Sequence, residues 1–282
     1  MKFKVSAELG YDVKSASTLI LNIHALKNGH QTILDEKLII DPYIQAEEFV
    51  ALNGDNRFVR VDIPNPGPVN IKYEATVDNC YQLRNFKKYD ELAVNQFDPQ
   101  VLTYLNPSRY CQSDKLYRLA KNTFGYIESN YDKVVAITNW VHTNVEYLGG
   151  FTNSETSAYD TVTQQAGVCR DFAHLGIALC RALTIPARYF TGYAYKLVPQ
   201  DFHACFEAYV GGQWVLFDAT KLAPLNGLVK IASARDAADA AIASIFGDVF
   251  CSYIKVNCEL LDQEPFTPIY YPKSVYDGIS YL

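Results

Sequence analysis

The chain has 282 residues, of which 49% are hydrophobic and 20% are charged, and its formal net charge is −6. This balance is sufficient for a large folded core and predicts two domains or one large one. No long run of Lys or Arg is present, so we expect neither a nucleic-acid partner nor a membrane partner. The N-terminus lacks the pattern of a secretory signal, and no apolar run is long enough to span a bilayer, which predicts a cytoplasmic protein.

The chain contains seven cysteines. Their number is odd, their spacings are irregular and no Cys-x-x-Cys pair occurs, which argues against a zinc ribbon and against a thioredoxin-type motif. We therefore expect reduced thiols that are mostly buried, of which one or two need a chemical explanation. The cysteines and His174 have no standard zinc-ligand spacing, and no calcium-loop motif occurs. We expect no metal and no other cofactor.

Residues 1–80 predict β-strands. Residues 18–26, 37–42 and 57–64 are rich in β-branched side chains and end at turn signals. Several short strands at this spacing predict a β-sandwich-like N-terminal domain. Residues 81–105 are interpreted as a connecting segment.

Residues 106–282 are interpreted as a catalytic core that includes C-terminal strands. Residues 113–127 and 131–148 have apolar side chains three and four apart, which predicts helices, and a third apolar run begins at Cys169. Further along, residues 203–220 predict a β-hairpin. Helices followed by a meander of strands predict an α+β fold in which the helices pack on an antiparallel sheet.

Cys169 has the position expected of a nucleophile. A thiolate at the start of a helix faces the positive end of the helix dipole and several unpaired N–H groups. The thiolate is the nucleophilic form, and the same N–H groups can hold a developing oxyanion. Gly167, two residues earlier, permits a tight turn and a close approach of substrate. Because most helix cysteines are simply buried, the hypothesis also requires a base.

Two hairpin residues are candidates for the partners of that thiol. His174 lies about 140° round the same helix from Cys169 and cannot easily reach it. His203 begins the first hairpin strand, and Asp218, on the second, could orient its imidazole. A two-residue turn at Gly211 and Gly212, however, places His203 opposite a residue close to Lys221. It places Asp218 on the other face of the sheet. On this count, the pair would meet only through a bulge, a strong twist or a longer turn.

Residues 167–193 (GVCRDFAHLGIALCRALTIPARYFTGY) and 203–220 (HACFEAYVGGQWVLFDAT) resemble the transglutaminase-like superfamily, whose members are relatives of papain-type cysteine enzymes. The resemblance implies a papain/transglutaminase-like core preceded by an N-terminal β domain. It also implies that Cys169 is the nucleophile, His203 the base and Asp218 the orienting acid.

The sequence departs from the family pattern at two positions. Cys205 stands where tryptophan is common, and Ala219 stands where proline is common. Neither departure removes a catalytic atom, so they bear on the choice of substrate and not on the chemistry.

The resemblance predicts an enzyme that acts on the amide bonds of peptides or proteins through a thioester. Water would then release the acid, as in a peptidase or amidase, or an amine would accept the acyl group, as in a transglutaminase. Gln164 and Gln165 are candidates for the second oxyanion donor, and with Gly167 they would line the substrate groove. The alternative is a non-catalytic module of the same fold that binds a peptide. A complete Cys/His/Asp set argues against this alternative, because binding alone does not need it.

Overall fold

The structure is a computed structural model that describes residues 1–51, 54–86, 91–270 and 277–281. Parts of two predicted segments, residues 87–90 of the connecting segment and residues 271–276 and 282 of the core, lie outside the described residues. Among the described residues, no helix is both long enough and apolar enough to cross a bilayer.

Eight strands form two four-stranded antiparallel sheets, and alternating burial explains why they pack against each other. β1, for example, buries every second residue from Phe3 to Leu9. The buried side chains of both sheets belong to one hydrophobic cluster. The strands are β1 (Lys2–Val13), β2 (Ser17–Leu21), β3 (Gln31–Asp41), β4 (Ala46–Val50), β5 (Arg57–Ile63) and β6 (Gly67–Asn79), with β14 (Ala243–Phe246) and β15 (Val249–Leu260) from the C-terminal part of the chain.

The positions of β14 and β15 differ from the prediction, which assigned residues 106–282 to the catalytic core. β15 pairs with β1, from Phe3 opposite Leu260 to Val13 opposite Val249, and β14 pairs with β2. Hydrogen-bonding groups along β1 and β2 need a neighbour on both sides, and these late strands supply one. The residues that meet are far apart in sequence, so local patterns could not assign the strands.

The core contains a six-stranded sheet in the order β13-β10-β11-β12-β16-β7, with α5 packed on β10 and β11. At Gly176 of α5, an added Cβ would lie 2.6 Å from the Phe206 ring, so the glycine lets helix and sheet approach closely. The elements are β7 (Gln82–Asn85), α1 (Pro99–Leu102), α2 (Ser113–Phe124), α3 (Asn130–Asn144), β8 (Glu146–Tyr147), α4 (Ala158–Gln164), β9 (Ala166–Gly167), α5 (Cys169–Ala182), β10 (Ala187–Ala194), β11 (Phe202–Val210), β12 (Gln213–Phe217), β13 (Leu228–Ala234) and β16 (Asp277–Ser280).

This architecture confirms the predicted α+β fold, a helical layer on an antiparallel sheet together with a β-sandwich. One predicted helix is shorter than expected. The helix predicted for residues 131–148 ends at Asn144, because the next residues form β8 and pair with β9. Backbone hydrogen bonds from Glu146 to Gln165 and from Leu148 to Gly167, 2.8 and 2.9 Å long, hold this pairing.

The hairpin between β11 and β12 brings the two candidate partners together without a bulge. Gly211 and Gly212 have positive φ angles of 55° and 74°, as expected of a two-residue hairpin turn. Phe206 lies opposite Phe217, and continuing this register places Cys205 opposite Asp218. His203 is therefore a diagonal neighbour of Asp218 on the same face. The sequence count that placed Asp218 on the other face was wrong, and no longer turn is required.

Candidate active site

Cys169 is the first residue of α5, and its position depends on a buried carboxylate. Asp171 accepts hydrogen bonds from the Val168 backbone N–H at 2.9 Å and from the Thr152 hydroxyl at 2.7 Å. The Arg170 guanidinium forms an ion pair with it at 3.1 Å. Asp171 thus caps the helix and orders the turn that carries the thiol. Cys169 itself is half-buried.

This cap explains why residue 167 is a glycine. A Cβ at Gly167 would lie 2.7 Å from the Cβ of Asp171, so a larger residue would displace the capping carboxylate. The two glutamines nearby have exposed side chains, Gln164 at the end of α4 and Gln165 in the left-handed region at φ 56°. Within the described part of the chain, neither glutamine side chain hydrogen-bonds to Cys169. Their assignment to the oxyanion site stays a prediction.

His203 and Asp218 form a buried, hydrogen-bonded pair. The distance from His203 Nε2 to Asp218 Oδ2 is 2.9 Å, and the two residues are 1% and 6% exposed. The other carboxylate oxygen, Oδ1, accepts hydrogen bonds from the backbone N–H and the hydroxyl of Thr220, at 2.8 and 2.7 Å. Both oxygens are therefore occupied, which fixes the carboxylate against the imidazole. The other ring nitrogen, Nδ1, is buried and has no hydrogen-bond partner among the described residues.

His203 and Asp218 stabilise each other's charged forms. Burial alone would lower the pKa of His203, but the adjacent Cys205 and Asp218 groups, the hydrogen bond with Asp218 and the nearby Cys169 side chain raise that pKa well above 6.5. Burial also raises the pKa of the Cys205 thiol to about 12, so this thiol is neutral near neutral pH. Asp218 is therefore the group that favours the imidazolium. Burial would raise the pKa of Asp218, but His203 and Thr220 lower it below 3.8.

Sequence reasoning missed Tyr147. The pairing of β8 with β9 places the Tyr147 hydroxyl close to the backbone N–H and the thiol of Cys169, with His203 also nearby. The ring packs against Phe172 at a centroid distance of 5.8 Å. Burial, and next the Cys169 sulfur, raise the pKa of Tyr147 to about 12, so the hydroxyl keeps its proton at neutral pH. No sequence signal marks this residue, because the helical pattern predicted for residues 131–148 runs through it.

His174, which the sequence excluded as the base, has a structural role. Its ring is fully buried and stacks on Tyr110 at a centroid distance of 5.0 Å. Its Nε2 accepts a hydrogen bond from the Ala237 backbone N–H at 3.1 Å. Burial lowers the pKa of His174 well below its usual range, so the ring is neutral and holds the segment after β13 in place.

A separate cavity lies between the sandwich and the core sheet. Its volume is about 840 Å³, and its lining includes Trp214 and two cations, Arg188 and Lys230. Cys169, His203 and Asp218 are not among its lining residues. The case for an active site at these three residues therefore depends on their chemistry and not on the size of a cavity.

Comparisons with known proteins identify the family of the chain. Residues 117–219 match the model of the transglutaminase-like superfamily, and residues 1–100 match that of the bacterial transglutaminase N-terminal domain. Uncharacterized protein ML0607 of Mycobacterium leprae (strain TN) is 32% identical over 261 residues, covering 85% of this chain and 91% of the relative. The crystal structure of a putative cysteine protease from Cytophaga hutchinsonii is 55% identical, with a TM-score of 0.97, covering 100% of this chain and 98% of the other. The chain belongs to the transglutaminase-like superfamily.

Proposed function

We propose that this protein is a cysteine-dependent enzyme that cleaves amide bonds of peptides or proteins through a thioester. Cys169 is the nucleophile, His203 the base and Asp218 the residue that orients His203. The observation that carries the proposal is the 2.9 Å hydrogen bond between His203 Nε2 and Asp218 Oδ2, because it leaves Nδ1 as the nitrogen available to the thiol. A nucleophile, a base and an orienting acid in this order are the requirements of covalent acyl transfer.

The proposed reaction passes two protons through His203, one in each half of the reaction. His203 Nδ1 takes the proton of the Cys169 thiol, and the thiolate attacks the substrate carbonyl carbon. The carbonyl oxygen becomes an oxyanion, held by the Cys169 backbone N–H and the Tyr147 hydroxyl. His203 then gives its proton to the leaving amine as the C–N bond breaks, which leaves a thioester. His203 then takes a proton from water as the water oxygen attacks the thioester carbonyl. The C–S bond breaks, the carboxylic acid is released, and His203 returns that proton to the Cys169 sulfur.

Hydrolysis is the favoured outcome, because the similar protein from Cytophaga hutchinsonii is described as a putative cysteine protease. The test is product analysis by mass spectrometry on a peptide library, with and without an added primary amine. We expect acid products in both cases. Amine adducts would indicate transglutaminase-type transfer, and bound but uncleaved peptides would favour the binding-module alternative.

Replacing Asp218 with asparagine should remove the charge that holds His203 protonated. Turnover should fall by roughly 10²–10⁴-fold, since the corresponding change in a serine-protease triad costs about 10⁴. The raised pKa of His203 should drop, so the imidazolium should be lost at a lower pH than in the wild type. Histidine NMR titration and the pH dependence of Cys169 alkylation measure this shift.

The matched control for this experiment is Asp239→Asn, which alters an exposed ion pair with Arg235. It should leave both titrations unchanged. An alkylation profile that is the same in Asp218→Asn and in the wild type would assign the orienting role to another residue.

Replacing Tyr147 with phenylalanine should reduce turnover and leave substrate binding nearly unchanged. The ring and its contact with Phe172 are kept, and only the hydroxyl is lost. We expect kcat to fall about 10–10³-fold with little change in KM, because an oxyanion donor acts in the transition state. Tyr126→Phe, at an exposed position, is the control. A rise in KM at constant kcat would instead indicate a substrate-binding role.

A further inference from the structure

Three side chains of types that bind metal ions lie together at the candidate active site. Three donor atoms, one from each of His203, Cys205 and Asp218, lie within 4.8 Å of one another. All three residues are buried. His203 and Cys205 alternate on β11 and share a face, and Asp218 lies opposite Cys205 just beyond the end of β12. The three side chains therefore converge from two neighbouring strands.

We propose that His203, Cys205 and Asp218 form a binding site for a thiophilic divalent cation such as Zn²⁺. Nitrogen, sulfur and oxygen donors from these residue types are the ligands that zinc takes in proteins, at about 2.0–2.3 Å. In a tetrahedral site, such bonds place neighbouring donors about 3.3–3.8 Å apart. The donors therefore need to move by about 1 Å or less. An imidazole and a thiolate do not suit Mg²⁺ or Ca²⁺.

The surrounding contacts orient the donors in the way that metal sites require. Thr220 holds Asp218 Oδ1 with two hydrogen bonds, and this leaves Oδ2 to face the ion. Oδ2 and His203 Nε2 are now 2.9 Å apart and share a proton, so an ion would replace that proton and widen the gap. The other ring nitrogen of His203, Nδ1, is buried and has no hydrogen-bond partner among the residues that the structure describes.

The charge balance also favours a divalent ion. On binding, the Cys205 thiol and the protonated His203 ring each release one proton to solvent. The sulfur forms a sulfur–metal bond, and the imidazole binds as the neutral ring. One thiolate and one carboxylate then neutralise the two positive charges of the ion. A buried site with no net charge avoids the large cost of an uncompensated charge. The fourth position is left for water, which adds no charge.

A bound ion would switch the enzyme off reversibly, and this consequence rests on the proposed function. With the ion on the ring, His203 could not form the imidazolium that accompanies the Cys169 thiolate. Binding itself does not depend on catalysis and can be measured without a substrate.

The test is a titration of the intact protein with Cd²⁺, a thiophilic stand-in for Zn²⁺ with an ultraviolet thiolate charge-transfer band. We expect one ion per chain in the wild type and at least a tenfold loss of affinity in Cys205→Ala. Cys180→Ala, which removes a buried thiol in the last turn of α5, should bind as the wild type does. Cys205→Ser replaces Cys205→Ala if circular dichroism shows that the alanine variant has not folded.

Cys169→Ala separates this proposal from the proposed function, because it removes the nucleophile and keeps the three ligands. Cadmium binding in this variant, with its charge-transfer band, supports the site whether or not the enzyme is active. Equal affinity in Cys205→Ala and the wild type, or complete loss of binding in Cys169→Ala, would overturn the proposal. In either case, the ion would be held elsewhere, or by the half-buried nucleophile alone.

Discussion

Cys169→Ala is expected to abolish turnover and to leave the fold unchanged. The substitution removes the sulfur of the proposed thioester, and the neighbouring Cys205 thiol is no substitute, because burial raises its pKa to about 12. The loss in kcat should be about 10⁶-fold and larger than that of Asp218→Asn, since removal of a triad nucleophile costs about 10⁶ in a serine protease. Peptide cleavage followed by mass spectrometry gives the activity, and circular dichroism gives the fold.

Two other cysteines serve as controls for this variant. Cys180 is buried in the last turn of α5, and Cys205 lies beside His203. Cys180→Ala and Cys205→Ala should retain activity, although each leaves a small cavity that lowers stability. Full activity in Cys169→Ala would contradict the proposed mechanism.

Glu207→Gln is expected to cause the largest loss of stability among the substitutions considered. Glu207 is fully buried on β11, and its carboxylate bonds to Arg188 at 2.6 Å and to Lys230 at 3.1 Å. Burial would raise the pKa of Glu207, but the two cations lower it to about 2. Without the carboxylate, both cations would remain buried and uncompensated. The free energy of unfolding should fall by about 3–5 kcal/mol, as when one partner of a buried ion pair is removed.

Urea unfolding, followed by tryptophan fluorescence, measures this loss. Trp214 lies beneath the Arg188 guanidinium, 4.1 Å from ring centroid to Arg188 Cζ, so its emission reports on the cluster. The control is Glu47→Gln, which removes one partner of the exposed Glu47–Arg60 ion pair and should cost less than about 1 kcal/mol. A second substitution, Lys230→Met, should recover part of the stability lost in Glu207→Gln. If Glu207→Gln and Glu47→Gln had equal unfolding midpoints, the stabilising role assigned to Glu207 would be wrong.

The same cluster has a defined pH dependence. The lowered pKa of Glu207 means that its contribution to stability is present above pH 4.5 and is lost as the pH falls toward about 2. In Glu207→Gln this loss on acidification should be absent. The cluster joins β10, β11 and β13, and β11 also carries His203, so it supports the strand on which the proposed base lies.

Local patterns in the sequence were enough for several features of the fold and of the candidate site. Alternating burial along β1, the apolar face of α5 and the paired glycines of the hairpin are each encoded within a few neighbouring residues. The start of α5 at Cys169 follows from such a pattern. The proposal that Cys169 acts with His203 and Asp218 needed the family resemblance as well, since the strand count from the sequence argued against it.

Other features depend on residues that meet only in the folded chain. β15 joins β1 because an unpaired strand edge needs a hydrogen-bonding partner, and Leu260 lies opposite Phe3 although most of the sequence separates them. Tyr147 reaches Cys169 because the pairing of β8 with β9 ends α3 early. Helical periodicity extends past Tyr147, and a stronger tertiary interaction overrides it. Hydrophobic periods and turn residues act over a few positions, whereas strand order and the meeting of side chains depend on which backbone groups the rest of the fold leaves unpaired.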